Sequence, residues 1–533
     1  MKRLFVIAAA ILLAFNVQGQ SVTEGIKLIN YDRFESAKNI LTPLAANSAE
    51  ANYYLGIAEL GLEHTDIARS IFAKDPDNFY NQAGMARILF MEGKNQEAAA
   101  LLNKIVDKAK KKDWEKYKVA ADAITYTKGG DVQNAIDWYK AALAKHEDAD
   151  IRIGLGDAFL KLQTGGGEAM DNFQKAVELG TNNSLAYSKI GSVWYDAHNY
   201  ELALDAYNKA KEADANNPLP YRDLAQAYRS SGNYENSLKN IEEYLAKSDK
   251  SVNNQITYAN TLFLAGKYPE ALSKMEELLS QGTEKPYMYR IIAYTAYETK
   301  DYDKALKNIQ IFFDKEQDST KLITDDYMYA GKILLAKANE DTLKTASYIN
   351  DASNYFQIAL SKDTAADKTE IYRKIADGFK DAKEYATAGE WYGKIIAANP
   401  NAAPLDYFYW GYWNFYGEKY DVAAKAFNDM IATYPDEGSG YFWKARVAAA
   451  GDSEAKTGAA APFFKEWINF QNKAGDYVHQ EADLIMAYRY LAYYYYNQNN
   501  KAESMDWVNK ILTQEPGDEW ALSIKKHFDT VKK

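Results

Sequence analysis

The amino-acid sequence repeats at one fixed interval, and this period constrains the fold more than any other feature. Aromatic side chains recur at that interval at Tyr200, Tyr234, Tyr268 and Tyr302. Small side chains keep the same interval in two further registers. These registers are Gly191, Ala225, Ala259 and Ala293, and then Ala203, Ser237, Ala271 and Ala305. A fixed period of about 34 residues is typical of a solenoid that stacks one supersecondary unit per repeat.

Each repeat reads as two helices separated by a short turn. Tyr187, Gly191 and Trp194 share one face of the first helix, because they are spaced by four and three residues. Ala203 and Tyr207 share one face of the second helix in the same way. The small residues let the two helices approach closely, and the larger side chains fill the space on either side. One hairpin cannot cover both of its apolar faces, so each hairpin must stack on the next.

The pattern resembles the tetratricopeptide repeat family, whose repeats place large and small side chains at set positions on two helices and close with a proline. Those positions are filled in order by Tyr372, Ile375, Ala376, Phe379, Ala388, Tyr392, Ile395 and Pro400. The resemblance implies an all-α, right-handed superhelical solenoid of about fourteen stacked helix-turn-helix hairpins with a C-terminal capping helix. It also implies a non-catalytic scaffold that binds another protein or peptide in its concave groove.

Variation in the repeat predicts four segments after the first nineteen residues. Residues 20–182 are predicted to hold N-terminal repeats that are partly degenerate, and residues 183–318 the regular 34-residue array. Residues 319–518 are predicted to hold repeats with lengthened turns, including a loose turn from Ala449 to Ala461. Residues 519–533 are predicted to form the capping helix, with the polar outer face that the end of a solenoid requires.

The first nineteen residues have the layout of a secretory signal. Lys2 and Arg3 precede an apolar run from Leu4 to Phe15, and small side chains stand before Gln20. We therefore expect residues 1–19 to be a cleaved signal peptide and the protein to be periplasmic. Secretion, or association with the outer membrane, is the alternative. No later stretch is comparably apolar, so no transmembrane segment is expected in the mature chain.

Residue types argue against several classes of function. The chain has no cysteine, and its five histidines are scattered over different repeats, so no zinc-ligand spacing is present. A formal net charge of -11 argues against nucleic acid as a partner, because phosphate binding needs a basic face. The run Gly165-Gly166-Gly167 lacks the following Lys-Ser or Lys-Thr of a phosphate-binding loop, and we interpret it as a turn. The sequence thus predicts neither a catalytic site nor a cofactor.

A stripe of side chains on the first helices is the predicted binding surface. Positions three before, one after and four after the small residue share a helical face, and in the resembled family the first helices line the groove. Read from Ser188 onward, the stripe holds eight Arg and Lys side chains against one Asp. Arginine forks bind carboxylates, so we predict a groove for an extended or acidic segment of another protein, with an envelope complex as its source. The predicted residues are Arg222, Gln226, Arg229, Asn260, Arg290, Tyr294, Tyr297, Lys332, Arg373, Lys380, Tyr412, Arg446, Arg489 and Tyr493.

Two alternatives remain open from the sequence. The arginines of the stripe could pair with carboxylates on neighbouring helices instead of binding a partner. The aromatic cluster that contains Trp410 and Trp413 could bind glycan, although aromatic side chains that ring a helix are more often packed between layers. The Lys and Asn pattern of the family's clamp for carboxyl termini is absent, so the resemblance does not imply a chaperone-tail ligand.

Overall fold

Every regular element that the computed structural model describes is a helix. The helices form fourteen helix-turn-helix hairpins followed by a lone C-terminal helix, and consecutive hairpins pack on one another within each unit defined below. The predicted all-helical repeat architecture is therefore confirmed. The predicted signal peptide at residues 1–19 lies outside the described residues. The described residues are 22–181, 183–341, 343–399, 401–474 and 481–530.

The chain divides into two units, and unit 1 extends to Glu284. It contains eight hairpins, whose first helices have odd numbers and second helices even numbers. The helices are α1 (22–30), α2 (Phe34–Leu41), α3 (Ala49–Gly61), α4 (Thr65–Phe72), α5 (Phe79–Met91), α6 (Asn95–Asp107), α7 (Trp114–Thr125), α8 (Val132–Leu143), α9 (Ala149–Leu160), α10 (Gly166–Glu178), α11 (Asn183–Asp196), α12 (Tyr200–Ala213), α13 (Leu219–Ser230), α14 (Tyr234–Lys247), α15 (Val252–Leu264) and α16 (Tyr268–Ser280).

Unit 2 begins at Lys285, inside the segment that the sequence reads as one regular array. It contains six hairpins and the lone helix α29, with a short 3₁₀ helix at Ser319–Lys321. Its helices are α17 (Pro286–Glu298), α18 (Tyr302–Lys315), α19 (Thr324–Glu340), α20 (Thr345–Lys362), α21 (Thr369–Asp381), α22 (Tyr385–Ala398), α23 (Pro404–Tyr416), α24 (Tyr420–Thr433), α25 (Gly438–Ala450), α26 (Ala461–Ala474), α27 (Glu481–Asn497), α28 (Lys501–Gln514) and α29 (Glu519–Thr530).

Small residues bring the two helices of a hairpin together, as the sequence predicts. Gly191 on α11 lies so close to Tyr207 on α12 that an added Cβ would stand 2.4 Å from the tyrosine ring. Gly411 and Phe427 have the same relation in unit 2, also at 2.4 Å. The buried ring of the second helix occupies the space that a side chain on the first helix would fill. Close packing therefore requires glycine at these positions.

The turns within the regular hairpins share one backbone conformation. His198, Gly232, Gly266 and Lys300 all have positive φ, at 58°, 74°, 72° and 63°. They recur at the same interval as the aromatic side chains, so the period of the sequence is also a period of the backbone. A left-handed residue just after a helix turns the chain sharply and lets the last carbonyl groups find partners.

The turn between α25 and α26 is ordered, contrary to the loose turn predicted there. The carboxylate of Asp452 accepts hydrogen bonds from the backbone N–H of Lys456 and Gly458, at 2.9 and 2.8 Å. It also accepts them from the hydroxyls of Thr457 and Tyr490, at 2.9 and 2.8 Å. Burial opposes ionisation of Asp452, but these hydrogen bonds hold its pKa well below the ordinary value. One buried carboxylate thus organises a turn whose composition alone indicates flexibility.

Candidate functional site

The first helices of unit 1 surround a cavity of about 1050 Å³. Side chains from α1, α3, α5, α7, α9, α11 and α13 line it, so seven successive first helices contribute. Small-molecule sites usually occupy about 300–1,000 Å³, and this cavity lies just above that range. The cavity is therefore as large as the largest sites of that kind.

Unit 1 closes on itself around this cavity. The hydroxyl of Tyr31 donates to Asp214 Oδ2 at 2.8 Å, and Lys27 Nζ lies 2.8 Å from the same oxygen. Ser36 donates to Asp249 through its hydroxyl and its backbone N–H, at 2.5 and 3.1 Å. These contacts join residues 183 and 213 positions apart in the sequence. They hold the first hairpin against the ends of α12 and α14, which completes the ring of helices.

Arg222 is the one predicted site residue that lines the cavity, and it belongs to this closure. Its Nη1 donates to Asp32 Oδ2 at 2.9 Å, and its Nε donates to Asp223 Oδ1 at 3.0 Å. Burial opposes the charge of Arg222, but the two aspartates raise its pKa above the ordinary value. The guanidinium is thus already occupied by two carboxylates of unit 1.

Polar contacts link the middle helices of the wall. Lys118 Nζ lies 2.8 Å from Asp122 Oδ2 on α7, and the Tyr126 hydroxyl donates to Asp157 Oδ2 on α9 at 3.0 Å. Lys189 on α11 pairs with the same Asp157 at 2.9 Å. Burial, reinforced by the charge of Asp157, raises the pKa of Tyr126 although 49% of its surface is accessible.

The remainder of the wall is largely apolar. Met91 projects from α5 with 55% of its surface accessible, which is unusual for a large apolar side chain. The other apolar side chains are Ile26, Ile29, Phe34, Ile57, Leu60, Phe90, Ile153, Leu185 and Leu219. The cavity therefore offers charged, hydrogen-bonding and apolar surfaces together.

The sequence analysis did not identify most of the residues of this wall. They nevertheless occupy the same helical positions as the predicted stripe. The stripe was read only from Ser188 onward, whereas the same positions after earlier small residues also line the cavity. Positions one and four residues after Gly25, Gly56 and Ala86 are Ile26 and Ile29, Ile57 and Leu60, and Arg87 and Phe90. The missing information was the curvature that brings these helices around a common space.

In unit 2 two of the predicted arginines contact carboxylates of the following hairpin. Arg290 donates to both oxygens of Asp326, at 2.6 and 2.7 Å. Arg373 donates to both oxygens of Asp406, at 3.0 and 3.1 Å. Asp326 and Asp406 lie in the first turn of the next first helix and are 0% and 4% exposed. This geometry is the local pairing that the sequence left open, and it joins consecutive hairpins.

Three further predicted residues are placed by similar contacts. Arg489 pairs with Asp518, which precedes α29. Lys380 pairs with Asp377 and Asp381, which lie on the same helix, α21. Tyr294 is 7% exposed and its hydroxyl donates to Asp326 at 2.7 Å. Tyr294, one of the predicted groove residues, is therefore buried, because the next first helix packs over this face of α17.

The aromatic cluster of unit 2 is mostly packed. Arg446 lies over the ring of Trp443 at 4.3 Å, and Tyr412 meets the same ring edge-on at 4.8 Å. Trp410 and Trp413 are half-buried, and Trp413 stacks on a tyrosine of α22 at 5.5 Å. The structure thus places both tryptophans between helices. The remaining predicted residues are exposed or half-buried on first helices, and they are Gln226, Arg229, Asn260, Tyr297, Lys332 and Tyr493.

The described ranges of the chain lack two further kinds of feature. No group of three or more His, Asp or Glu side chains there is arranged to hold a metal ion. No helix of that part of the chain combines the length and the apolar character needed to cross a bilayer.

Comparisons with known proteins match part of the chain to one family. Residues 122–184, which include α8 to α10, match the tetratricopeptide repeat family. The C-terminal part of a TPR repeat-containing protein from Cytophaga hutchinsonii is 28% identical over 50% of this chain and 98% of its own, with a TM-score of 0.38. A tetratricopeptide repeat protein from Parabacteroides merdae is 20% identical over 50% and 98%, with a TM-score of 0.35. YrrB, described as a TPR protein with an unusual peptide-binding site, is 20% identical over 34% and 94%, with a TM-score of 0.31. No significant match to a curated protein was found.

Proposed function

We propose that this chain, whose residues 122–184 match the tetratricopeptide repeat family, is a non-catalytic scaffold that holds an extended segment of another protein. The observation that carries the proposal is the ring of seven first helices around a cavity of about 1050 Å³. An extended segment presents backbone donors, backbone acceptors and side chains in alternation, and a wall with charged and apolar surfaces suits all three.

The proposed setting is the cell envelope. The signal layout of residues 1–19 supports export to the periplasm, with secretion or attachment to the outer membrane as the alternative. Fractionation of cells that express the chain, with the mass of the recovered protein, tests this setting. We expect a soluble periplasmic product that lacks residues 1–19. A cytoplasmic product that retains them would remove the envelope from the proposal.

Site-specific photo-crosslinking in cells tests the binding surface. A photoreactive residue replaces Met91, which is accessible inside the cavity, or Leu202, which is 40% exposed on the second helix α12. We expect the position at Met91 to capture a protein through one short segment, and a synthetic peptide of that segment to bind the purified chain. Equal capture at Leu202, or a synthetic peptide that does not bind, would contradict binding in the cavity.

A further inference from the structure

Arg87 on α5 is a buried cation with no carboxylate within salt-bridge distance among the described residues. Only 8% of its surface is accessible, and its Nη2 donates to the backbone carbonyl of Asp122 at 3.2 Å. Its Nε has no hydrogen-bond partner, and its guanidinium lies 5.5 Å from the ring of Tyr126. Buried guanidinium groups normally pair with a carboxylate in a two-pronged contact, because an unpaired buried charge is costly. Arg87 thus has at least one unpaired donor, the buried Nε, in the cavity wall.

Lys161 is a second cation beside the same space. Its Nζ donates to the carbonyl oxygens of Thr127 and Ile124, at 2.7 and 3.3 Å. Arg87 and Lys161 both donate to carbonyl oxygens near the end of α7, so the two positive charges lie side by side. Burial and then the charge of Arg87 lower the pKa of Lys161, and the charge of Asp157 opposes this effect. Because Asp157 already pairs with Lys189 and accepts from Tyr126, the two like charges favour the presence of a further negative group.

The other basic side chains of the cavity wall are either paired with an aspartate or exposed to water. Six basic and five acidic side chains line the cavity, so the wall carries a small cationic excess. Lys118, Lys189 and Arg222 each pair with an aspartate at 2.8–2.9 Å. Lys128 is exposed, so water solvates its charge. Arg87 is therefore the buried cation of the wall without a carboxylate partner among the described residues, and Lys161 is an exposed cation beside it.

The neighbours of these cations indicate the class of the negative group. Phe90 and Met91 follow Arg87 on α5 and present apolar surface to the cavity. The polar contacts on α7, α9 and α11 interrupt that surface, and burying them against an acyl chain would be costly. Backbone amides can hydrogen-bond to such groups, so a polypeptide fits this wall better than a lipid does.

Resting on the proposed function, we propose that Arg87 and Lys161 bind the carboxylate of an Asp or Glu side chain within the partner segment. The apolar side chains of Phe90 and Met91 then contact the residues that flank this acidic side chain. The occupant of the cavity is accordingly an extended peptide with one acidic residue between apolar ones.

Selection from a library of random twelve-residue peptides tests this proposal. The library is applied to the full chain, to Arg87→Met, to Lys161→Met and to Arg87→Lys. Lys209→Met is the control, because Lys209 lies on the second helix α12 and pairs with Asp205. We expect the full chain and the control to enrich Asp or Glu next to apolar residues. Either methionine variant should reduce this acidic preference about tenfold, and Arg87→Lys should retain part of it.

The outcomes separate the two proposals. Bound peptides without an acidic preference, or an acidic preference unchanged in both methionine variants, would overturn the role of Arg87 and Lys161 while leaving the scaffold proposal standing. A preference confined to a free carboxyl terminus, lost when the library is amidated, would overturn the side-chain assignment. No peptide retained above the empty support would overturn both proposals. Circular dichroism of each variant shows that a lost preference does not come from unfolding.

Discussion

Replacing Arg290 by Met should loosen the joint between the hairpins α17/α18 and α19/α20. Asp326 is 0% exposed and accepts four hydrogen bonds, two of them from Arg290 at 2.6 and 2.7 Å. The other two come from the Tyr294 hydroxyl and the Ile323 backbone N–H, each at 2.7 Å. Arg290→Met keeps the aliphatic stem and removes the charge, so a buried carboxylate is left without its counter-ion.

The size of the effect follows from this geometry. Removal of one partner of a buried ion pair costs about 3–5 kcal/mol. The Arg290 side chain is 21% exposed and two neutral donors remain on Asp326, so we expect the lower end, about 3 kcal/mol. Double replacement with Asp326→Asn should cost less than Arg290→Met alone, because no buried charge then remains.

Native-state hydrogen exchange resolves this effect, because a solenoid can open locally and one midpoint for the whole chain is a poor measure. A loss of about 3 kcal/mol lowers protection of amides in α17 and α19 roughly a hundredfold. Asp429→Asn is the matched control, since its pair with Lys425 on α24 is exposed at both ends and such pairs contribute about 0–1 kcal/mol. Unchanged protection in Arg290→Met would refute the reasoning. So would a double variant that loses as much protection as the two single variants together.

Three further predictions concern other elements. Asp452→Ala should destabilise the α25–α26 turn by about 3 kcal/mol, because several buried donors lose their acceptor, and hydrogen exchange of residues 451–460 should rise accordingly. Burial opposes ionisation of Asp214, but hydrogen bonds from Lys27 and neighbouring donors lower its pKa. The closure of unit 1 should therefore be complete above about pH 4 and weaken as pH falls through the lowered pKa. Energy transfer between dyes on α2 and in the loop after α14 measures this, and Asp214→Asn should show little pH dependence. Gly191→Ala should destabilise its hairpin, because the new methyl meets the Tyr207 ring at 2.4 Å, whereas Gly166→Ala meets nothing within 4 Å and should leave the thermal midpoint unchanged or higher.

The hairpins could be predicted because their determinants are close together in the chain. Gly191 and Tyr207 lie within a single repeat and belong to one hairpin, so their spacing alone indicates that they meet. The same holds for the left-handed turn residues, which repeat with the period of the side chains. Local contacts of this kind produce a periodic residue pattern that a single sequence shows.

The candidate site could be predicted only in part. The register of the stripe identifies which positions of a first helix face the inner side, and Arg222 was found in this way. The register does not say that Arg290 meets a buried Asp326, since any first-helix arginine has the same spacing whether or not a carboxylate follows it. The register also does not show that Arg87 lacks a carboxylate partner among the described residues.

The sequence by itself therefore determined that the chain is a stack of helical hairpins, since each hairpin is specified by residues within its own repeat. Only the tertiary structure decided that Tyr31 reaches Asp214 and that seven first helices share one cavity. The physical reason is that each hairpin is rotated slightly against the one before, and these small rotations add up over many repeats. Contacts between residues 183 or 213 positions apart are set by that sum, which no single repeat encodes.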